Sequence, residues 1–216
     1  MLNALLSAIH LDRISPHQGS PRPCRPKVSS VTTSPSATDV IAFWNKAGAG
    51  KWFDHDPAFD EEIRARFEPL HMAAARGEIS GWAKTPQGAL ALVILLDQFP
   101  RNLYRGTAHA FATDPLALAV ARHAVDAGQD RDVEAGLRTF FYMPFEHSER
   151  LQDQDRCVAL FEGVTDASDK AGFRRFAVLH RDIIRRFGRF PHRNACLGRT
   201  TTAEEQAFLD GGGFHG

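Results

Sequence analysis

The segment from Gly172 to Arg199 of this 216-residue chain reads GFRRFAVLHRDIIRRFGRFPHRNACLGR. At 100° per residue, its apolar side chains fall on one side of a helix. We predict that the helix ends close to Gly188, in the left-handed conformation that glycine tolerates, because Pro191 prevents continuation. The predicted apolar side consists of Phe173, Phe176, Ala177, Ile183, Ile184 and Phe187.

One polar residue, His180, lies near the middle of this apolar side. A lone histidine there is more often a hydrogen-bonded core residue than a ligand or a base. The segment also carries eight Arg and one Asp between Ala171 and Arg199. Two interpretations stay open: the arginines complement the negative end of the helix dipole, or they face an acidic partner.

The composition excludes several classes of function. With 43% hydrophobic residues and a formal net charge of zero, the chain is typical of one soluble domain with a full core. A pI near 7.2 argues against general nucleic-acid binding. Eleven Asp or Glu and four Arg lie between Asp126 and Asp169, so the simplest partner for the arginine-rich segment is the protein itself.

The cysteines and the apolar runs bear on the compartment. Cys24, Cys157 and Cys196 include no close-spaced pair, which predicts no disulfide framework and a reducing, cytoplasmic environment. Cys157 is predicted to be a small core residue. The longest apolar run, 90–96, is far shorter than the about 20 residues that cross a bilayer, so we expect no membrane partner.

Residues 1–37 differ from the rest of the chain. They are rich in Pro, Ser and Thr, and their apolar periodicity stops after Ile9. Such a segment cannot bury enough apolar surface to order itself. We therefore predict a disordered N-terminal arm at 1–37 and one folded domain at 38–216.

The most apolar element is predicted between Pro86 and Phe99. Residues 90–96 leave no polar side, which indicates a central helix surrounded by others. Asp97 lies on the same face as apolar residues of this helix, where a carboxylate needs a cation or a hydrogen-bond donor as its partner. Arg101 is the nearest cation in sequence. Both a structural buried ion pair and a site carboxylate remain possible.

Other helices are indicated by caps and prolines. Thr38 or Asp39 is predicted to cap the first helix, and Asp56 with Pro57 starts the next. The remaining predictions are a helix capped by Asp114 with Pro115 at its first position and ending at Gly128, a helix over 132–142 stopped by Pro144, and a helix over 148–163 with Leu151, Val158 and Phe161 inside.

Glu146 and His147 lie in the loop before that last helix, and Glu149 lies near its N-terminus. Glu149 is expected to complement the positive helix N-terminus and to aid solubility. Glu146 and His147 lie beside aromatic residues at a turn, which makes them better candidates for the wall of a cleft.

Three segments together resemble one bacterial family, catalogued as domain of unknown function 924. They are DQFPRNLYRGTAHAFATDPLAL, FFYMPFEHSERLQDQD and LHRDIIRRFGRFPHRNACLGRTTTAEEQAFL. The resemblance covers about Asp39 to Leu209 and implies an all-α fold of antiparallel helical hairpins, similar to tetratricopeptide proteins, although no 34-residue repeat is visible. It implies no activity and no catalytic residues.

No known catalytic motif is present. The stretch AGAGKWF has Asn45 and Trp52 where a phosphate loop needs glycine and a hydroxyl. There is no serine elbow and no zinc-binding His-Glu-x-x-His helix. We predict neither a metal nor a cofactor. The candidate ligand-binding residues are Asp97, Arg101, Asn102, Glu146, His147, His180, Arg181, Arg189, His192 and Arg193.

Two functions remain open, and whether the protein is an enzyme stays undecided. In the first, these side chains line a pocket that binds a small carboxylate or phosphate compound through forked arginine bonds. In the second, the helices form an interaction scaffold that binds a peptide or an acidic partner in a groove.

Overall fold

The computed structural model describes residues 34–164 and 170–215, and all regular structure within these ranges is helical. The predicted all-α fold is confirmed. The helices are α1 Ala37–Ala47, α2 Ala49–Trp52, α3 Pro57–Ala75, α4 Pro86–Val93, α5 Phe99–Leu103, α6 Asp114–Asp126, α7 Ala135–Arg138, α8 Met143–Glu146, α9 Leu151–Gly163, α10 Lys170–Phe187 and α11 Ala203–Asp210. Short 3₁₀ turns span Ser80–Lys84, Ala108–Phe111, Gln129–Asp132, Thr139–Phe141 and Pro191–Arg193.

Helix α1 begins with a capping box at Ser36. The Asp39 carboxylate accepts a hydrogen bond from the Ser36 backbone N–H at 2.8 Å, while the Ser36 hydroxyl accepts one from the Asp39 N–H at 3.3 Å. The predicted cap at Thr38 or Asp39 is therefore wrong. Ser36 is the cap, because these two reciprocal hydrogen bonds satisfy backbone N–H groups at the start of the helix. Residues 1–33 of the predicted arm lie outside the described residues, and their disorder stays a prediction.

Helix α4 occupies the centre of the fold, as predicted. The side chains from Ala89 to Leu96 are all buried, and α1, α6 and the 3₁₀ turn Ser80–Lys84 pack around them. Aromatic rings close one side of this core, since Trp44 meets both Phe99 and Phe140 edge to face at 5.6 Å. Burial of these large side chains is the main contribution to the stability of the fold.

The central helix was predicted to span Pro86 to Phe99, but it continues to Leu103. A π turn over Ile94–Gln98 makes this possible. Pro100 has no N–H to bond the carbonyl of Leu96, and that carbonyl instead accepts a hydrogen bond from the Thr113 hydroxyl at 2.6 Å. Asp97 lies within this wider turn.

The segment predicted as one helix over 132–142 is instead divided among the 3₁₀ turn Gln129–Asp132, helix α7 and the 3₁₀ turn Thr139–Phe141. Pro144 does not stop a helix but lies in the first turn of α8, where its missing N–H has no helical partner to lose. Helix α9 begins at Leu151 instead of Ser148, and Leu151 is 41% exposed, not internal. Cys157 is fully buried, as predicted.

Helices α9 and α10 form an antiparallel hairpin. Glu162 contacts Arg174 at 2.9 Å, and Asp155 contacts Arg185 at 3.1 Å, so the order of the partners reverses along the two helices. Helix α10 ends at Phe187, and Gly188 has the predicted left-handed φ of 69°. On the apolar face of α10, Ala177, Ile183 and Ile184 are buried, Phe173 and Phe187 are half-buried, and Phe176 is 43% exposed. Intramolecular acidic partners thus account for several of the arginines.

Candidate functional site

Asp97 is the most enclosed charged residue of the candidate set, with no exposed surface. His147 Nδ1 lies 2.8 and 3.1 Å from its two carboxylate oxygens, and the amide of Gln98 donates to it at 2.5 Å. The guanidinium of Arg101 lies 3.3 Å away. Burial alone would raise the pKa of Asp97, but Arg101 and His147 outweigh it and hold this pKa at about 2.

Arg101 continues this network to Asp114. Its two terminal nitrogens donate to the two Asp114 oxygens at 3.0 and 3.1 Å, the forked geometry that suits guanidinium and carboxylate. Arg193 donates to the same carboxylate at 3.2 Å. Asp114 thus bridges two arginines. The prediction that Asp114 caps α6 is wrong: it is the first helical residue, and Thr113 precedes it.

Aromatic rings hold three side chains in place: His192 and Arg193 of the 3₁₀ turn Pro191–Arg193, and His180 of α10. The Arg193 guanidinium lies between Phe111 and Phe190, at 4.5 and 4.6 Å from the ring centres. The Phe214 ring contacts both His180 and His192, at 4.5 and 5.2 Å. These contacts fix side chains that would otherwise lose rotamer freedom on binding a ligand.

Glu146 is buried beside Asp97 and His180. Its carboxyl oxygen lies 3.2 Å from His180 Nδ1, which also contacts the Phe176 carbonyl oxygen at 2.9 Å. Burial and the nearby Asp97 charge raise the pKa of Glu146 to about 8. Two carboxyl groups of one site therefore differ at pH 7, Asp97 ionised and Glu146 protonated.

The pKa values of the three histidines and of Arg193 are lowered. Burial lowers the pKa of His180 and of His192 to about 3, and the neighbouring guanidiniums act in the same direction. Burial and the Arg101 charge lower the pKa of Arg193 to about 10. Burial and Arg101 also lower the pKa of His147. The imidazole rings of His147, His180 and His192 are therefore neutral at pH 7.

We name this group the Asp97 cluster and define it by Asp97, Arg101, Asp114, Glu146, His147, His180, His192 and Arg193. Most of its polar atoms have partners. Two fully buried nitrogens, His192 Nδ1 and Arg193 Nε, have no hydrogen-bond partner among the described residues. Buried polar atoms are rarely left unpaired, so these two need an explanation.

Three candidate residues lie outside the cluster. Asn102 donates to Asp60 at 2.7 Å, on the side of the central helix that faces α3. Arg189 forms two bonds to Glu205, of 2.6 and 2.8 Å, and so ties the end of α10 to α11. Arg181 lies on α10 with its Nε buried, 3.6 Å from Asp182 and 3.9 Å from Asp155.

Sequence reasoning missed two members of this region. The Asp114–Pro115 pair predicts a helix cap, and no local pattern indicates that Asp114 lies in a network with Arg101 and Arg193. Glu149 was expected to serve the helix dipole and solubility, but it accepts two bonds from Arg199 and one from the Phe190 N–H. Only the fold brings these distant segments together.

Two further properties follow from the described side chains and helices. In residues 34–164 and 170–215, no group of three or more His, Cys, Asp or Glu is arranged to hold a metal ion. No helix in the same ranges has the length and apolar character to cross a membrane.

The chain is similar to known proteins in sequence and in structure. The model of a bacterial protein family of unknown function, DUF924, matches residues 40–213. The solved structure of a protein of unknown function from Agrobacterium tumefaciens is similar, with 48% sequence identity and a TM-score of 0.76. That similarity covers 81% of this chain and 97% of the other. No curated protein matches.

Proposed function

We propose that this chain, which belongs to the bacterial DUF924 family, binds a small carboxylate or phosphate compound at the Asp97 cluster. The observation that carries the proposal is the pair of unpartnered buried nitrogens on adjacent residues, His192 Nδ1 and Arg193 Nε. An anion is acceptor-only and accepts hydrogen bonds from both when His192 carries its proton on Nδ1. Arg193 supplies the charge-assisted bond.

The charges of the cluster support an anion over a cation. Arg101 and Arg193 are balanced by the carboxylates of Asp97 and Asp114, while Glu146 is protonated at pH 7 because its pKa is about 8. After burial, neighbouring guanidiniums are the next cause that lowers the pKa of His192 and of Arg193. This end of the cluster therefore has a positive potential, which an anion relieves.

The surroundings of these two residues also favour binding. Arg193 is only 6% exposed and is clamped between two phenylalanine rings, so little side-chain entropy remains to be lost. The aromatic contacts of His192 act in the same way. The two donors are therefore preorganised, because aromatic contacts hold them in place before a ligand binds.

The alternative function is an interaction scaffold that binds a peptide or acidic partner. Its supporting observation is the outer surface of α10, where Phe176 and Leu179 are 43% and 39% exposed beside Arg174 and Arg175. Partner binding at this surface would not involve the unpartnered nitrogens of His192 and Arg193. Substitution of these two residues should therefore affect anion binding but not scaffold binding.

The test is a thermal-shift and calorimetric titration with phosphate, sulfate and succinate. We expect at least one anion to raise the Tm of the wild type, because a ligand that binds only the folded state stabilises it according to occupancy. His192→Phe keeps a ring against Phe190 and Phe214 but removes the nitrogen, and it should abolish that rise. His123→Phe, at an exposed position of α6, is the matched control.

Arg193→Lys is the second test variant, because lysine keeps the charge but has no Nε–H to donate to the anion. We expect it to weaken binding, whereas Arg186→Lys on the exposed pair with Glu204 should not. Equal anion responses in wild type and His192→Phe would contradict the proposal. The lack of any response in the wild type would favour the scaffold.

A further inference from the structure

Resting on the proposed anion site, we infer that the Asp97 cluster is a hydrolytic active site for small anionic esters, with His147 as general base, Glu146 as general acid and Asp97 positioning His147. Four features of the described residues carry this inference: the orientation of one imidazole, the placement of one carboxyl group, the state of the nearby thiol and hydroxyl, and the adjacent anion donors.

The His147 ring is held in one orientation by Asp97. Its Nδ1 lies within hydrogen-bond distance of both carboxylate oxygens, which selects the tautomer with the proton on Nδ1. Nε2 then carries a lone pair and has no hydrogen-bond partner in the described part of the chain. The side chain remains 15% exposed. A positioned imidazole with an unbonded Nε2 is the arrangement that general-base catalysis needs.

Glu146 precedes the base in sequence and faces the same cluster. Its residue surface is 8% exposed, and His180 contacts one carboxyl oxygen at 3.2 Å. Because the group is protonated at pH 7, its O–H can donate to a leaving oxygen. The neutral imidazole of His147 and the neutral carboxyl of Glu146 therefore hold opposite roles at one pH.

The nearby thiol and hydroxyl are not free to attack a substrate. Cys157 is buried, its thiol donates to the Tyr142 carbonyl at 3.5 Å, and burial raises its pKa well above the usual value. The Ser148 hydroxyl donates to Asp153 at 2.8 Å. Direct attack by water, with no covalent intermediate on the protein, is therefore the reaction that fits these side chains.

The step balances with water as the second substrate. The water oxygen forms a bond to the carbonyl carbon or phosphorus while His147 Nε2 takes one of its protons. The bond to the leaving oxygen breaks, and that oxygen takes the proton of Glu146. An acid and an alcohol leave, and solvent carries the proton from His147 back to Glu146. Arg193 and His192 hold the anionic end of the ester.

The assay uses 4-nitrophenyl phosphate and mono-4-nitrophenyl succinate, with neutral 4-nitrophenyl acetate as the uncharged comparison. We expect release of 4-nitrophenol from one of the two anionic esters above the buffer rate and above that of the acetate. His147→Gln should lower the rate by about 100-fold or more, the usual range for loss of a general base. His123→Gln, the matched control, should leave it unchanged.

The role of Glu146 is tested by the leaving group. Phenol is a poorer leaving group than 4-nitrophenol, so Glu146→Gln should lose more activity on the phenyl ester than on the 4-nitrophenyl ester of the preferred acid. A purely structural role would lower both rates equally. Glu162→Gln, on the exposed pair with Arg174, is the matched control. Equal losses on the two esters would overturn the assignment of Glu146.

The pH profile separates the two groups further. The rate should fall as pH rises through about 8, where Glu146 loses its proton, and this limb should vanish in Glu146→Gln. Asp97→Asn should move the acid limb, since Asp97 raises the pKa of His147. The groups that face Glu146 and His147 are Asp97, Arg101, Asp114, His180, His192 and Cys157.

Two outcomes would overturn this inference. One is an ester rate that His147→Gln leaves unchanged. The other is a wild-type protein that phosphate or succinate stabilises but that releases nitrophenol from neither anionic ester, in which case anion binding stands and the chemistry fails. If neither stabilisation nor release occurs, the proposed binding function itself fails.

Discussion

Arg199 binds Glu149 through two parallel hydrogen bonds, of 2.7 and 3.1 Å, across 50 residues of sequence. The same guanidinium donates to the Phe190 carbonyl at 2.9 Å, and the Phe190 N–H donates to Glu149 at 2.8 Å. This pair therefore clamps the backbone immediately before His192 and Arg193. Residues outside the proposed anion site therefore determine where its donors lie.

We predict that Arg199→Lys destabilises the fold by about 1 to 3 kcal/mol, because an ammonium cannot replace the planar set of bonds. It should also weaken the anion response, since the 3₁₀ turn Pro191–Arg193 loses its anchor. Urea unfolding and the phosphate thermal shift measure the two effects. Arg186→Lys on an exposed pair should change stability by no more than about half a kcal/mol. A wild-type response in Arg199→Lys would contradict the anchoring role.

Asp97→Ala is expected to cost about 1 to 5 kcal/mol, because His147 loses its buried partner and Arg101 keeps only Asp114. Asp97→Asn should cost less, since the amide oxygen still accepts one bond. The folded pKa of about 2 lies below the unfolded value. The stability from this carboxylate is therefore present above about pH 4 and lost as pH falls toward 2. Denaturant unfolding against pH checks this, and equal acid sensitivity in Asp97→Asn would argue against it.

Glu146→Gln should become more stable than the wild type as pH rises. The folded pKa of Glu146 is raised to about 8. The stability that its carboxyl group contributes is therefore fully present below the unfolded pKa and is lost as pH rises to about 8. Glutamine has no charge to bury. The difference in unfolding free energy should therefore grow between about pH 4 and 8, to the order of a few kcal/mol. Glu162→Gln should show no such trend.

Gly88→Ala should destabilise the protein although alanine is the better helix former. A Cβ at Gly88 would overlap the carbonyl oxygen of Trp82 and lie 2.8 Å from its carbon, so α4 could not pack on the 3₁₀ turn Ser80–Lys84. We expect a loss of about 1 to 3 kcal/mol from overpacking. Gly136→Ala has open space around its Cβ and should be neutral or stabilising by up to about 1 kcal/mol. A thermal melt of both variants decides.

Several features of the candidate site could be predicted from the sequence. Asp97 on an apolar helix face and His180 on another indicated buried polar groups that need partners. The aromatic surroundings of Glu146 and His147 indicated a cleft. Asn102, Arg181 and Arg189 carried the same composition signal, yet they lie elsewhere, because composition does not fix the direction in which a helical side chain points.

The sequence by itself determined the all-α fold, the central buried helix and the end of α10, since periodicity, apolar runs and the Gly188 to Pro191 signal act over a few residues. Tertiary structure alone decided the π turn that carries the central helix past Pro100, because Thr113 comes from a different segment to satisfy the freed carbonyl. It also decided the bridging of Arg101 and Arg193 by Asp114, across 79 residues of sequence in the longer case. Such contacts depend on the packing of whole helices, which no local pattern encodes.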